Sequence, residues 1–342
     1  MLHKIINMTK EWYFDYNSRL NRKLVYHLGY DAGFFSEYNN MLFAMMYCLT
    51  HKIHFSIYCD DANFGFEKGW QDYFEPFFEE VHDDFHHVNN YRCFERPITS
   101  DFVVFLKRVF KAALKMNKKY YRPYYKFEET EIVKKHKKET KIDLYTQDIW
   151  NDLIQYPTRR VITNPYDNSS VCEFDFLNML DAMAWKFSEK TKCAIDNILG
   201  ALEVPKDYVG IHVRRGDKIK EASFVSVDNY MSILKDKSEI KNVYVATDDY
   251  GTIKLLRANY PEYRFYSLTK EVSAGYDQTA FDNLEKGEKQ THMISLFADI
   301  EMLASAKCFV GSYSSNVGLY IAIRRNRENC FYVDYKSEYL ND

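Results

Sequence analysis

VGIHVRRGDKIKEASF, residues 209–224, begins as an apolar strand and breaks at Arg214 into two arginines, a glycine, an aspartate, a lysine and, after one more turn, Glu221. Residues just past the carboxyl end of a parallel strand face the ligand crevice of an α/β sheet. Arginine there supplies planar, permanently charged donors that suit a diphosphate; the alternative is a surface charge cluster. Downstream the chain alternates regularly. The pattern predicts strands over 208–213, 242–247, 264–266 and 308–311, with helices over 227–234, 251–259, 291–304 and 315–324. Such alternation implies a parallel sheet covered on both faces, an α/β fold.

Upstream of residue 209 the pattern is sparser. Lys23 to Leu28 reads as a strand, Gly29 to Gly33 as a turn, Ser36 to His51 as a helix and Ile53 to Cys59 as a second strand. This βαβ start lacks a GxGxxG fingerprint, so the glycines read as a structural turn, not as a dinucleotide site. Helical periodicity continues over 101–119, 146–155 and 176–199, the last as one long connector. Val204-Pro205-Lys206-Asp207 supplies turn chemistry, which places a boundary near residue 201: an amino-terminal, helix-rich α/β domain over 1–200 and a Rossmann-like domain over 201–342.

Composition agrees with two domains sharing a cleft. The chain has 342 residues, 46% hydrophobic and 28% charged, which fits neither long disorder nor a disulfide-stapled miniprotein. Its 29 Tyr and 25 Phe against 12 Gly and 7 Pro indicate much ring surface and short connections. No apolar run reaches the roughly 18 residues of a membrane span, and the amino terminus lacks the apolar core of a signal peptide. The expected compartment is therefore cytoplasmic, with reduced cysteines; the seven present form no CxxC pair and no zinc-ligand spacing. Net charge is −3, yet residues 107–141 carry thirteen Lys or Arg against four Glu. That stretch suits an anionic membrane surface or a phosphate-bearing substrate, with a solvated helix face and loop as the alternative. The acidic remainder and the lack of any nucleic-acid motif speak against nucleic acid.

Two further strand ends carry polar chemistry. VYVATDDYGTIKLL ends a strand in Asp248-Asp249 just before a helix, where aspartates cap the helix or hold the arginines. FVGSYSSNV, residues 309–317, runs a strand into hydroxyls at a helix start, a pattern shared by phosphate sites and ordinary N-caps. Asp299 is an acid on an otherwise apolar helical face, placed to accept hydrogen bonds from a base. No Asp-x-Asp pair occurs anywhere in the chain, so no metal is expected. His82 and His86 read as surface residues.

The ordered series HVRRGDK, an acid, DNYM, VYVATDD, YPEYRFYS, the DI helix and YSSNV resembles the carboxyl-terminal half of the α1,6-fucosyltransferase family, the core and nodulation fucosyltransferases of the glycosyltransferase 23 type. The match is specific over about residues 205–325, with a weaker likeness in the first βαβ region and in GWQDYFEPFFEE. The resemblance implies a GT-B architecture, two Rossmann-like domains facing a cleft, and metal-independent, inverting transfer of fucose from GDP-fucose. By position it assigns the donor β-phosphate to Arg214 with Arg215 beside it and Ser314 and Ser315 assisting. It gives guanine to His212 and Asp299, and the donor pocket to Tyr230, Asp217, Asp248 and Asp249. Lys218 would lie near the diphosphate, and Glu221 matches the acid proposed to deprotonate the acceptor. Gly216 stands where the core enzymes carry a bulkier residue. The implied acceptor is a glycan hydroxyl, a lipid-linked surface-glycan precursor of a bacterium or virus among the candidates, made at the inner face of the membrane. The α1,2-fucosyltransferases, which share the HxRRGD motif and the donor, are the nearest alternative; a catalytically inactive nucleotide-sugar binding protein is another.

Overall fold

The computed structural model describes residues 8–92, 127, 129–154, 157, 160–216 and 225–334. The amino-terminal half begins with α1 (Lys10–Ser18), capped by Thr9, followed by β1 (Arg22–His27), α2 (Phe34–Thr50) and β2 (Ile53–Tyr58). The turn between β1 and α2 needs its glycine. Gly29 has φ +84°, and a Cβ there would lie 2.7 Å from both the Ala62 Cβ and the Phe64 ring. Thirteen of the seventeen residues of α2 are buried, which makes it a central helix, not an amphipathic surface one. There follow a 3₁₀ turn at Gly69–Asp72, α3 (Phe85–Asn89), α4 (Glu131–Thr140), β3 (Leu144–Tyr145) and α5 (Thr146–Ile149). The first sheet is parallel, in the order β2-β1-β3.

A small antiparallel pair, β4 (Val161–Thr163) and β5 (Ser170–Cys172), leads into α6 (Glu173–Ala184) and α7 (Glu189–Gly200). The single connector helix expected over 176–199 is thus two helices. Tertiary contacts break it: Glu75 N–H donates to the Lys186 carbonyl and Ser188 N–H to the Tyr73 carbonyl, so Phe74 and Phe187 pair as a β-bridge. Ser188 then caps the new helix by accepting from Thr191 N–H. The helix expected over 146–155 is a single turn that ends at Trp150. The one expected over 101–119 lies outside the described residues.

The second half holds β6 (Val209–Val213), α8 (Val227–Lys237), β7 (Asn242–Thr247), α9 (Tyr250–Asn259), β8 (Arg264–Tyr266), α10 (Gln278–Asp282), α11 (Lys286–Ser305), β9 (Phe309–Gly311), α12 (Asn316–Arg324) and β10 (Cys330–Tyr332). Its five strands are all parallel, in the order β10-β9-β6-β7-β8. With two parallel sheets the α/β class expected from the sequence is observed. Neither α10 nor β10 is evident in the sequence pattern.

Strand periodicity divides the second sheet into two faces. Val209, Ile211, Val213, Val243 and Val245 pack with α8 and α9. Gly210, His212, Tyr244 and Ala246 occupy the other face, and a Cβ on Gly210 would sit 3.1 Å from Leu303 and Ala306, which places α11 there. That second face joins the core of the amino-terminal half without a break: Phe297 of α11 packs 5.1 Å from Phe34 and 5.3 Å from Tyr73. Among the described residues no helix is long and apolar enough to cross a membrane.

Candidate active site

The carboxyl ends of β6, β7 and β9 lie side by side, and the charged segments singled out above leave the sheet there. Asp248, just past β7, accepts backbone N–H bonds from Arg215 at 2.7 Å, Gly216 at 2.9 Å and Tyr276 at 3.1 Å. Its carboxylate therefore ties two loops together and holds the arginine segment through its backbone. The close approach depends on glycines: a Cβ at Gly216 would lie 2.2 Å from the Tyr276 carbonyl oxygen, and Gly275 has φ +109°. This is the local reason for a glycine at 216. Asp249 caps α9, accepting from Gly251 N–H, Thr252 N–H and the Thr252 hydroxyl.

The two arginines are held differently. Arg214 lies with its guanidinium carbon 5.4 Å from the Tyr276 ring centroid. Arg215 donates to the Val225 carbonyl at 2.8 Å and to the Thr252 hydroxyl at 3.3 Å, which ties it to α9 and to the residue pair before α8. Asp217, Lys218 and Glu221 lie outside the described residues.

His212 and Asp299 share the α11 side of the sheet. His212 is buried, and its Nδ1 has no hydrogen-bond partner among the described residues. Burial lowers its pKa to about 4, with Arg214 adding to the effect against Asp248, so the ring is neutral near pH 7. Asp299, half-buried, accepts a 2.6 Å hydrogen bond from the Tyr244 hydroxyl. Burial raises its pKa to about 7 against that hydrogen bond. A neutral imidazole offers one donor and one acceptor, and a carboxyl group offers acceptors, the chemistry that reads the edge of a base.

At the end of β9, the Tyr230 hydroxyl and Ser312 Oγ lie 3.1 Å apart. Tyr313 N–H and Ser314 N–H donate to the Asp334 carboxylate, and the Ser314 hydroxyl does the same, so Ser314 is engaged with this acid. Ser315 is the N-cap of α12, yet its buried hydroxyl makes no capping bond and has no partner among the described residues. Asp334 is legible only in the fold, since it stands about twenty residues beyond the serines it holds.

A cavity that the sequence does not announce opens between the α12 start and the α2 start, with Arg92 and Trp150 among its walls. His86, read as a surface residue, is fully buried instead. It sits between Tyr58 and Tyr145, and burial lowers its pKa to about 4. His82 is exposed and pairs with Asp60. Among the described residues no group of three or more His, Cys, Asp or Glu side chains is placed to hold a metal.

Residues 174–322 match the family model described as alpha-(1,6)-fucosyltransferase N- and catalytic domains. Among solved structures, the chain is similar to the NodZ alpha-1,6-fucosyltransferase soaked with GDP-fucose, at 13% identity over 89% of this chain and 92% of that one, TM-score 0.48. Fucosyltransferase NodZ from Bradyrhizobium aligns at 12% identity over 88% and 92%, TM-score 0.47. POFUT1 in complex with GDP aligns at 10% identity over 92% and 99%, TM-score 0.49.

Proposed function

We propose that the chain, whose residues 174–322 are similar to the alpha-(1,6)-fucosyltransferase family model, is a GDP-fucose-dependent glycosyltransferase that transfers fucose to a glycan hydroxyl with inversion and without a metal. The observation that supports this reading is the placement of Arg214, the Asp248-tied loop and the uncapped Ser315 at the carboxyl ends of adjacent strands, with His212 and Asp299 on the α11 face of the same sheet.

In this reading His212 and Asp299 take guanine, Arg214 and Ser315 take the diphosphate, and Tyr230 with Ser312 lines the pocket. Asp217, Lys218 and Glu221 keep the roles that the family resemblance gives them. Departure of GDP builds negative charge on the diphosphate, and preplaced cations stabilise that charge more than they stabilise the ground state. A base at the acceptor hydroxyl, assigned to Glu221, adds roughly 10² to 10⁴ in rate. Attack opposite the leaving group converts the β-linked donor into an α-fucoside. The finer reading is an α1,6-type linkage on a bacterial or viral surface-glycan precursor, with the acceptor held mainly by residues 1–200 and the donor by 201–342.

Calorimetric titration with GDP, ADP and UDP in EDTA tests the donor assignment. GDP-selective binding is expected, weakened about 10- to 100-fold in Arg214→Ala, the range of a charge-assisted hydrogen bond worth about 1.5–3 kcal/mol. Equal affinity for the three nucleotides, or binding only with added metal, would remove the assignment.

A further inference from the structure

Tyr276 lies between β8 and α10, outside the motifs that carry the family resemblance. Its stretch of backbone is fixed against the loop after β7 at successive residues. Tyr250 N–H donates to the Ser273 carbonyl at 2.9 Å, Asp249 and Ala274 pair as an antiparallel bridge, and Gly275 N–H donates to the Asp248 carbonyl at 2.8 Å. Tyr276 N–H then donates to Asp248 Oδ2, the same oxygen that accepts from Gly216 N–H. One carboxylate oxygen therefore sets the tyrosine backbone and the arginine segment relative to each other.

The side chain is held from the other end. Phe281 and His292 flank its ring at centroid separations of 6.0 and 5.8 Å, and its hydroxyl donates to Gln278 Oε1 at 2.8 Å. Gln278 Nε2 donates in turn to Asp282 Oδ1 at 2.7 Å, an oxygen that also accepts, at 3.4 Å, from Asn63 Nδ2 of the amino-terminal half. Asn63 is itself tied to the Ala32 carbonyl at 3.0 Å. The ring thus stands where the two halves meet, and the Arg214 guanidinium carbon lies over it at 5.4 Å from the centroid. A guanidinium placed over a ring presents its face to the π system and keeps its N–H donors at the edge. This contact therefore orients the cation without consuming the donors that a diphosphate takes, whereas Arg215 commits donors to Val225 and Thr252. It also removes rotamer freedom that a long side chain would otherwise lose on binding.

We propose that Tyr276 is a positioning residue for Arg214, its ring fixing the guanidinium in place before nucleotide arrives. The proposal rests on the donor reading, in which Arg214 takes the diphosphate. Calorimetry on the full chain tests it with GDP and with guanosine, which lacks the diphosphate. Tyr276→Leu should weaken GDP binding about 3- to 30-fold, the range of a cation–π contact, and leave guanosine unchanged. Tyr276→Phe, which keeps the ring, should return GDP affinity to within about threefold of wild type. Added to Arg214→Ala, Tyr276→Leu should cause no further loss. Full GDP affinity in Tyr276→Leu, an equal loss for guanosine, or losses that add in the double variant would overturn the proposal. A second readout needs no nucleotide. In proton–nitrogen NMR spectra the Arg214 Nε–H signal, identified by its loss in Arg214→Lys, should be displaced by the ring current in wild type and in Tyr276→Phe. In Tyr276→Leu it should fall among unconstrained arginines, and an unmoved signal would overturn the proposal even where the donor reading stands. Failure of the wild type to bind GDP would remove the donor reading instead, and the spectra would still decide whether the ring holds Arg214.

Discussion

Asp299 and His212 both stand beside the proposed guanine slot, yet they titrate far apart. His212 is already neutral above pH 5, whereas Asp299 changes charge near pH 7. A guanine edge presents N–H donors, which the carboxylate accepts and the neutral acid accepts less well. Binding therefore favours the ionised form, so GDP affinity must rise with pH through the pKa of Asp299. With that pKa at about 7, affinity at pH 6 should be roughly tenfold weaker than at pH 8. Asp299→Asn should bind GDP weakly and without this slope. Calorimetry at pH 6, 7 and 8 checks both, and a wild-type slope that survives in Asp299→Asn would place the titrating group elsewhere.

Between elements, the strongest polar joint lies where α2, α6, α11 and α12 meet. The Tyr38 hydroxyl donates to buried Asp181 at 2.8 Å, Arg324 donates to the Tyr320 hydroxyl at 3.0 Å, and Arg324 forks onto Glu301 at 2.8 and 2.9 Å. Burial raises the Asp181 pKa to about 6, with Arg324 and the tyrosine hydroxyls opposing it. For an acid the sign is clear: the fold binds the proton more tightly than the unfolded chain, so stability is greatest below about pH 4 and declines as pH rises to about 6. The decline is about 2–3 kcal/mol. Asp181→Asn keeps an acceptor for Tyr38 and removes the titration. In urea unfolding at pH 4 and pH 7, the stability gap between wild type and variant should change by that amount, and a gap independent of pH would contradict the assignment.

The same elements show what a sequence exposes. Strands 209–213 and 242–247 were legible because apolar runs end in charges at the ligand edge, and the Asp249 cap because its hydrogen bonds are local. The break at Trp185 was not, because Phe74, over a hundred residues earlier, makes it. The hold of Asp334 on Ser314 and the cavity walls were hidden for the same reason, since Asn39, Arg92, Trp150 and Ser315 come from four separate segments.

At the scale of the whole molecule, the proposed boundary near residue 201 would separate the chemistries without separating the folding. One apolar core runs through both sheets: Phe34 and Tyr38 of α2 pack edge-to-face against Phe297 of α11 and Tyr320 of α12 respectively, and Trp185 touches all four. Cutting the chain there would expose these rings on both pieces, at roughly 1.5–3 kcal/mol for each fully buried apolar side chain, against a total stability of only about 5–15 kcal/mol. The fragment 201–342 should therefore fail to fold alone, and the full chain should melt in one transition. A ligand bound to the second half then stabilises the whole: GDP at 100 times its Kd adds about 2.7 kcal/mol, a rise in Tm of several degrees. Differential scanning calorimetry with and without GDP distinguishes the cases. One endotherm that moves as a unit is expected; two endotherms, of which GDP moves only one, would show that the shared core does not couple the halves.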